Sequence, residues 1–224
     1  GEKFKKSTYG RLGAQEVEDQ LSFARYMASQ PYVDPARIGI YGWSYGGFMA
    51  LGCAMKGHGL FRMAIAVAPV TSWRYYDSIY TEIYNNLPQY NAAGYDDNSP
   101  INFARMLDDT KTRLLIIHGT ADDNVHFQNS AEMIRVLTDA GKEFDLMIYP
   151  DQRGDGTCPE PLRQAVRHDG LSRPEPFDAA RRHGQCPAEN DRIHARTPLN
   201  RPVMERIVYI GTPVGRVGIA SSDD

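Results

Sequence analysis

Arg37-Ile38-Gly39-Ile40-Tyr41-Gly42-Trp43-Ser44-Tyr45-Gly46-Gly47-Phe48-Met49-Ala50-Leu51-Gly52-Cys53-Ala54-Met55 is the stretch that decides the fold. Residues 37–41 are a short run of β-forming side chains and read as a buried strand. Residues 48–55 are mostly apolar, follow glycines and read as a buried helix. Between the two lies a G-x-S-x-G pentapeptide, residues 42–46. A nucleophile elbow needs that placement, a serine on a sharp turn between a strand and a helix. The glycines tolerate the tight turn and the close helix–strand approach. The Ser44 hydroxyl then stands above the sheet, and the Tyr45 backbone N–H faces the place where an oxyanion would form. A chance Gly/Ser-rich turn has no reason to carry both flanking elements.

Working outward, the same alternation repeats. Val17, Leu21, Ala24 and Ala28 are spaced as one face of a helix that ends before Pro31. Residues 63–70 read as a second strand stopped around Pro69, 112–117 as a third, 130–140 as a helix and 143–149 as a fourth strand. Continuous apolar strands separated by helices predict an α/β fold with a mostly parallel sheet covered by helices on both faces.

The whole chain has 224 residues, 42% apolar and 24% charged, with a formal net charge of −3. That is enough for a sizeable core and too balanced to attract nucleic acid or an anionic membrane. No stretch approaches the roughly 18 apolar residues of a membrane span. Cys53, Cys158 and Cys186 are too few for a disulfide scaffold and lack zinc-site spacing. Neither metal nor cofactor is expected. The composition divides at Asp151: residues 1–151 hold 6 Lys and 21 aromatics, whereas residues 152–224 hold no Lys, 11 Arg, 8 Pro and 2 aromatics. The first piece reads as a catalytic domain. The second reads as an Arg/Pro-rich, poorly ordered tail with one short strand within residues 203–210.

A hydroxyl is a weak nucleophile until a histidine, oriented by a carboxylate, takes its proton. In hydrolases of this fold the acid follows a later strand. Asp122 and Asp123 both stand just past the strand at 112–117, and residue chemistry does not choose between them.

Three blocks carry a resemblance: GWSYGG at 42–47, AVAPVTSWRYYDSIYTE at 66–82 and HGTADDNVHFQ at 118–128. In order and spacing they resemble the catalytic domain of the dipeptidyl peptidase IV-like serine peptidases of the prolyl oligopeptidase family. The likeness runs from about residue 4 to 151. It implies a partial α/β-hydrolase domain with Ser44 as nucleophile and Asp122 as the acid. Tyr45, Val70, Trp73, Tyr76, Tyr80 and Val125 match the walls of a pocket for the penultimate residue of a peptide, proline or alanine. Asn124 matches the side chain that binds a substrate carbonyl. The chemistry of the residues agrees, because a pyrrolidine ring lacks an N–H and packs into an aromatic box without stranding a donor. The resemblance implies release of Xaa-Pro dipeptides through an acyl-enzyme, at a periplasmic, secreted or cell-surface location. A carboxylesterase or acylaminoacyl peptidase of the same fold is the rival, and a binding-only proline pocket is the reading outside catalysis.

The sequence then departs from the family. The family histidine follows the last strand in a YPD-x-x-H loop; here Tyr149-Pro150-Asp151 is followed by Gln152-Arg153-Gly154. Glycine stands in the histidine position, and the tail resembles a shifted reading frame. The expectation is therefore an inactive chain. His168, His183 and His194 lie in the tail without family context; His58, His118 and His126 read as structural. The family's closing helix, its upstream tyrosine oxyanion donor and its β-propeller are not matched, which places homodimer formation in doubt.

Overall fold

The computed structural model describes residues 1–153, 207–212 and 215–220. Strands β1 (Ile38–Trp43), β2 (Met63–Val67), β3 (Arg113–Gly119) and β4 (Asp145–Tyr149) pair in parallel in the order β4-β3-β2-β1. Helices α1 (Glu2–Lys5) and α2 (Ala14–Ala28) precede β1, and α3 (Tyr45–Lys56) crosses from β1 to β2. Between β2 and β3 run α4 (Ser78–Asn85), α5 (Ala92–Asp96) and short 3-10 turns; α6 (Gln128–Asp139) joins β3 to β4. The expected α/β architecture is present, with the boundaries of each strand shifted by a few residues.

One face of the sheet is deeply covered. Ile38, Ile40, Ala64, Ala66, Leu114 and Ile116 are buried in one cluster with Val17 and Leu21 of α2, Phe48, Leu51 and Met55 of α3, and Met133 and Leu137 of α6. On the alternate positions Tyr41, Trp43, Ile65 and Leu115 are only half-buried, around a small cluster of Val67 and Ile117. Among the described residues the second face is thus partly covered, where the sequence predicted two buried faces. The period-2 alternation of the pleat makes this possible even in strands that read as continuously apolar.

β2 ends at Val67 rather than near Val70, because Ala68 takes a left-handed φ of 41° and its N–H donates to Ile117 O at 2.8 Å. In the tail, one strand overlaps the expected range 203–210 and a second follows it. Strands β5 (Ile207–Thr212) and β6 (Gly215–Ala220) form an antiparallel hairpin, and β6 pairs antiparallel with β1, from Ile38↔Ile219 to Tyr41↔Arg216. The free edge of β1 presents unpaired N–H and C=O groups, which a strand from the tail satisfies.

Candidate active site

Parallel pairing sends the C-terminal ends of all four strands to one edge of the sheet. Trp43, Val67, Ile117 and Met147 lie in one row of the register, so the loops that follow them open side by side. Sites of open α/β sheets form at that edge. Ser44, the 68–73 segment, the 120–127 loop and the 150–153 segment are those loops.

Ser44 bridges β1 and α3 with φ 56° and ψ −115°, a conformation costly for a residue with a Cβ. Its N–H donates to Val67 O at 2.9 Å, tying the turn to β2. Its hydroxyl makes no capping hydrogen bond to α3 and the residue is half-buried. Tyr45 opens α3, where a helix leaves its N–H groups without intrahelical acceptors. A Cβ on Gly42 would overlap the backbone of Gly46, and one on Gly47 would come within 2.9 Å of Pro69 Cα and Val67 O. Gly46 itself has open space on its Cβ side. The crowded positions are therefore 42 and 47, so the second glycine of the pentapeptide is not the one required for packing.

The two aspartates separate. Asp122 is buried and its Oδ1 accepts the backbone N–H groups of Asn124 and Val125, both at 3.0 Å. Its Oδ2 is buried with no hydrogen-bond donor. Asp123 is exposed, 3.8 Å from Arg153 Nη1. The nearest basic group to Asp122 Oδ2 is His118 Nε2 at 3.3 Å. That contact is not an ion pair: His118 is buried, and desolvation holds its pKa below the usual imidazole value despite the nearby carboxylate. The neutral ring instead bridges Val125 O (2.8 Å from Nε2) and Ser130 Oγ (2.7 Å from Nδ1). His118 thus shapes the acid loop. The segment after β4 runs beside that loop, with Ala121 N–H donating to Gln152 O and Asp151 N–H to Thr120 Oγ1. Gly154 and the tail histidines lie outside the described residues.

The aromatic residues converge. Trp73 is fully buried, with ring centroids of Phe48 at 4.8 Å, Tyr45 at 5.8 Å, Tyr80 at 6.2 Å and Tyr76 at 6.5 Å. Tyr76 and Tyr80 meet edge to face at 5.5 Å. Val70 and Val125 are buried in the same core cluster, against which Tyr45, Tyr76 and Tyr80 pack. The Tyr76 hydroxyl donates to Asn124 Oδ1 at 3.1 Å, which joins the aromatic segment to the acid loop and leaves the Asn124 amide N–H groups as donors. Asp77 caps α4 by accepting the Tyr80 N–H at 2.7 Å, which sets the start of the helix that carries Tyr80.

Two organising residues carried no signal in the sequence. Asn129, fully buried at the start of α6, accepts the Thr71 N–H and donates to Tyr75 O and His126 O, so it pins three of the site's segments. Glu16, buried in α2, accepts the Tyr45 hydroxyl at 2.7 Å. A polar residue on a helix face gives no hint of a partner in another element.

The model of the prolyl oligopeptidase family matches residues 1–157. This chain belongs to the prolyl oligopeptidase family. Within that peptidase family it is dipeptidyl peptidase IV-like. It is 46% identical over 167 residues to "Dipeptidyl peptidase 4" of Felis catus, covering 74% of this chain and 22% of the cat protein. It is 47% identical over 153 residues to "Probable dipeptidyl-aminopeptidase B" of Pyrenophora teres f. teres, covering 67% of this chain and 17% of that protein. Porphyromonas gingivalis dipeptidyl peptidase 4 superposes with a TM-score of 0.65 at 45% identity, over 68% of this chain and 21% of that one. The chain spans about a fifth of the length of these prolyl oligopeptidase-family relatives. Among the described residues no helix is long and apolar enough to cross a membrane.

Proposed function

We propose that Ser44 and Asp122 are the nucleophile and the orienting acid of a serine peptidase that releases Xaa-Pro dipeptides from peptide N-termini. The observation that carries this reading is the strained turn at Ser44 between β1 and α3, with its hydroxyl not spent on capping. With an imidazole seated on Asp122, Ser44 Oγ would pass its proton to that ring as it attacks the carbonyl carbon after proline, the Tyr45 N–H would donate to the developing oxyanion, and collapse would expel the amine, which takes the proton back from the ring, to leave an acyl-enzyme that water hydrolyses. The buried, donor-less Oδ2 of Asp122 supports its role, because an anionic oxygen without a donor is costly unless an imidazole N–H occupies it. The box around Trp73 favours proline over the acyl groups preferred by an esterase or acylaminoacyl peptidase of the same fold.

The second part of the proposal is that the 224-residue chain does not turn over substrate, which leaves it a proline pocket without a base. Glycine occupies position 154, and loss of one triad member costs on the order of 10⁴- to 10⁶-fold in kcat. The test is release of chromophore from a Gly-Pro anilide by the purified chain, with Ser44→Ala as blank. Neither turnover above that blank nor fluorophosphonate labelling of Ser44 is expected. Turnover above it would show that His168, His183 or His194 serves as base and would overturn the inactive reading.

A further inference from the structure

The aromatic box is held from one short segment outside it. The Tyr45 hydroxyl donates to Glu16 Oε1 at 2.7 Å, and Trp73 Nε1 donates to Leu12 O at 3.3 Å. Both acceptors lie within five residues at the entrance to α2. That segment is fixed in turn: the Gly13 N–H donates to Glu16 Oε2 at 3.1 Å, and the Leu12 N–H donates to Asn85 Oδ1 at 3.1 Å. Glu16 is only 7% exposed, and among the described residues no ion pair includes it. A carboxyl group buried beside aromatic rings without a cation is expensive, and a plain helix cap does not need one so deep.

We propose that Glu16 is a positioning residue of the substrate pocket. It holds the polar end of Tyr45, so the ring that walls the pocket stays seated against Phe48 and Trp73 and the Tyr45 N–H stays aimed from the first turn of α3. The inference rests on the proline-pocket reading given above. A role confined to capping α2 through the Gly13 N–H would act on stability and not through Tyr45.

A double-mutant cycle separates the two. The chain has two tryptophans, so a ¹⁵N-labelled sample shows two indole N–H resonances, and Trp43→Phe assigns them. The full chain is titrated with L-alanyl-pyrrolidide, which carries the ring but no scissile peptide bond. Saturable movement of the Trp73 indole signal is expected. Glu16→Met, close in length and shape, removes both acceptor oxygens; Tyr45→Phe removes the hydroxyl. Each should weaken binding by about three- to tenfold, the range of one net hydrogen bond, and the double variant should be no weaker than the weaker single. Losses that multiply, or unchanged binding in Glu16→Met, would overturn the positioning role. If Glu16→Met fails to fold, Glu16→Asp, one methylene shorter, completes the same cycle. A wild-type chain whose Trp73 signal does not move would instead overturn the proline pocket, and the positioning role with it.

Discussion

Ser44, Asp122 and His118 show how differently single side chains of the candidate site are buried and held. Ser44 holds a positive φ that the surrounding β1–α3 turn imposes. Asp122 keeps one oxygen satisfied by loop N–H groups and one without a donor, whereas His118 spends one ring nitrogen on Val125 O of the loop that presents Asp122 and the other on Ser130 of α6. Burial depresses the His118 pKa from its usual 6.5, so near that value the unfolded chain binds the proton that the folded chain refuses. Stability therefore falls as the pH drops below about 6.5 and is flat above it with respect to this group. His118→Gln should remove that acid-side loss while costing about 1–3 kcal/mol at pH 8, because Ser130 or Val125 loses its partner. Urea midpoints of both proteins between pH 5 and 8 measure it. An unchanged slope in the variant would mean that His118 does not titrate as the burial requires.

At the scale of elements, the elbow depends on how closely α3 approaches the strands. A Cβ at position 47 meets the backbone of Val67 and Pro69 at 2.9 Å, and backbone cannot swing aside. Gly47→Ala should destabilise the domain by about 1–3 kcal/mol or more. Gly46 faces open space in the first turn of the same helix, so Gly46→Ala should be neutral or gain up to about 1 kcal/mol from helix propensity. Thermal melts of the two variants should diverge in opposite directions. Equal losses would show that the pentapeptide itself, rather than the approach of α3 to β2, demands glycine.

At the scale of the whole molecule, the hairpin β5–β6 covers the edge of β1 and leaves β5 as the outer strand on that side. An uncovered edge strand is a template for pairing with another chain. A chain ending at Arg153 should therefore self-associate at concentrations where the 224-residue chain is monomeric, as read by light scattering after size-exclusion chromatography. A truncated chain that stays monomeric would mean that the hairpin contributes nothing to protecting β1.

The local elements, and the turn that carries Ser44 between β1 and α3, were legible from neighbouring residues alone. Strands and helices announce themselves by side-chain period, and a serine between a strand and a helix needs only its neighbours in the chain to be recognised. Residues 45, 70, 73, 76, 80, 122, 124 and 125 were legible as candidates through the three motif blocks, yet motif blocks carry no distances. Which aspartate is buried and which is exposed was decided by tertiary structure, since the difference lies in the N–H groups of Asn124 and Val125 and in the imidazole beneath them. The same holds for Asn129 and Glu16: each acts by hydrogen-bonding residues from 29 to 58 positions away, and no periodicity encodes such a pair. β5 overlaps the strand read within residues 203–210, whereas β6 and its pairing with β1 carried no signal, because a short strand gains most of its stability from the edge it joins, and that edge exists only once the sheet has formed.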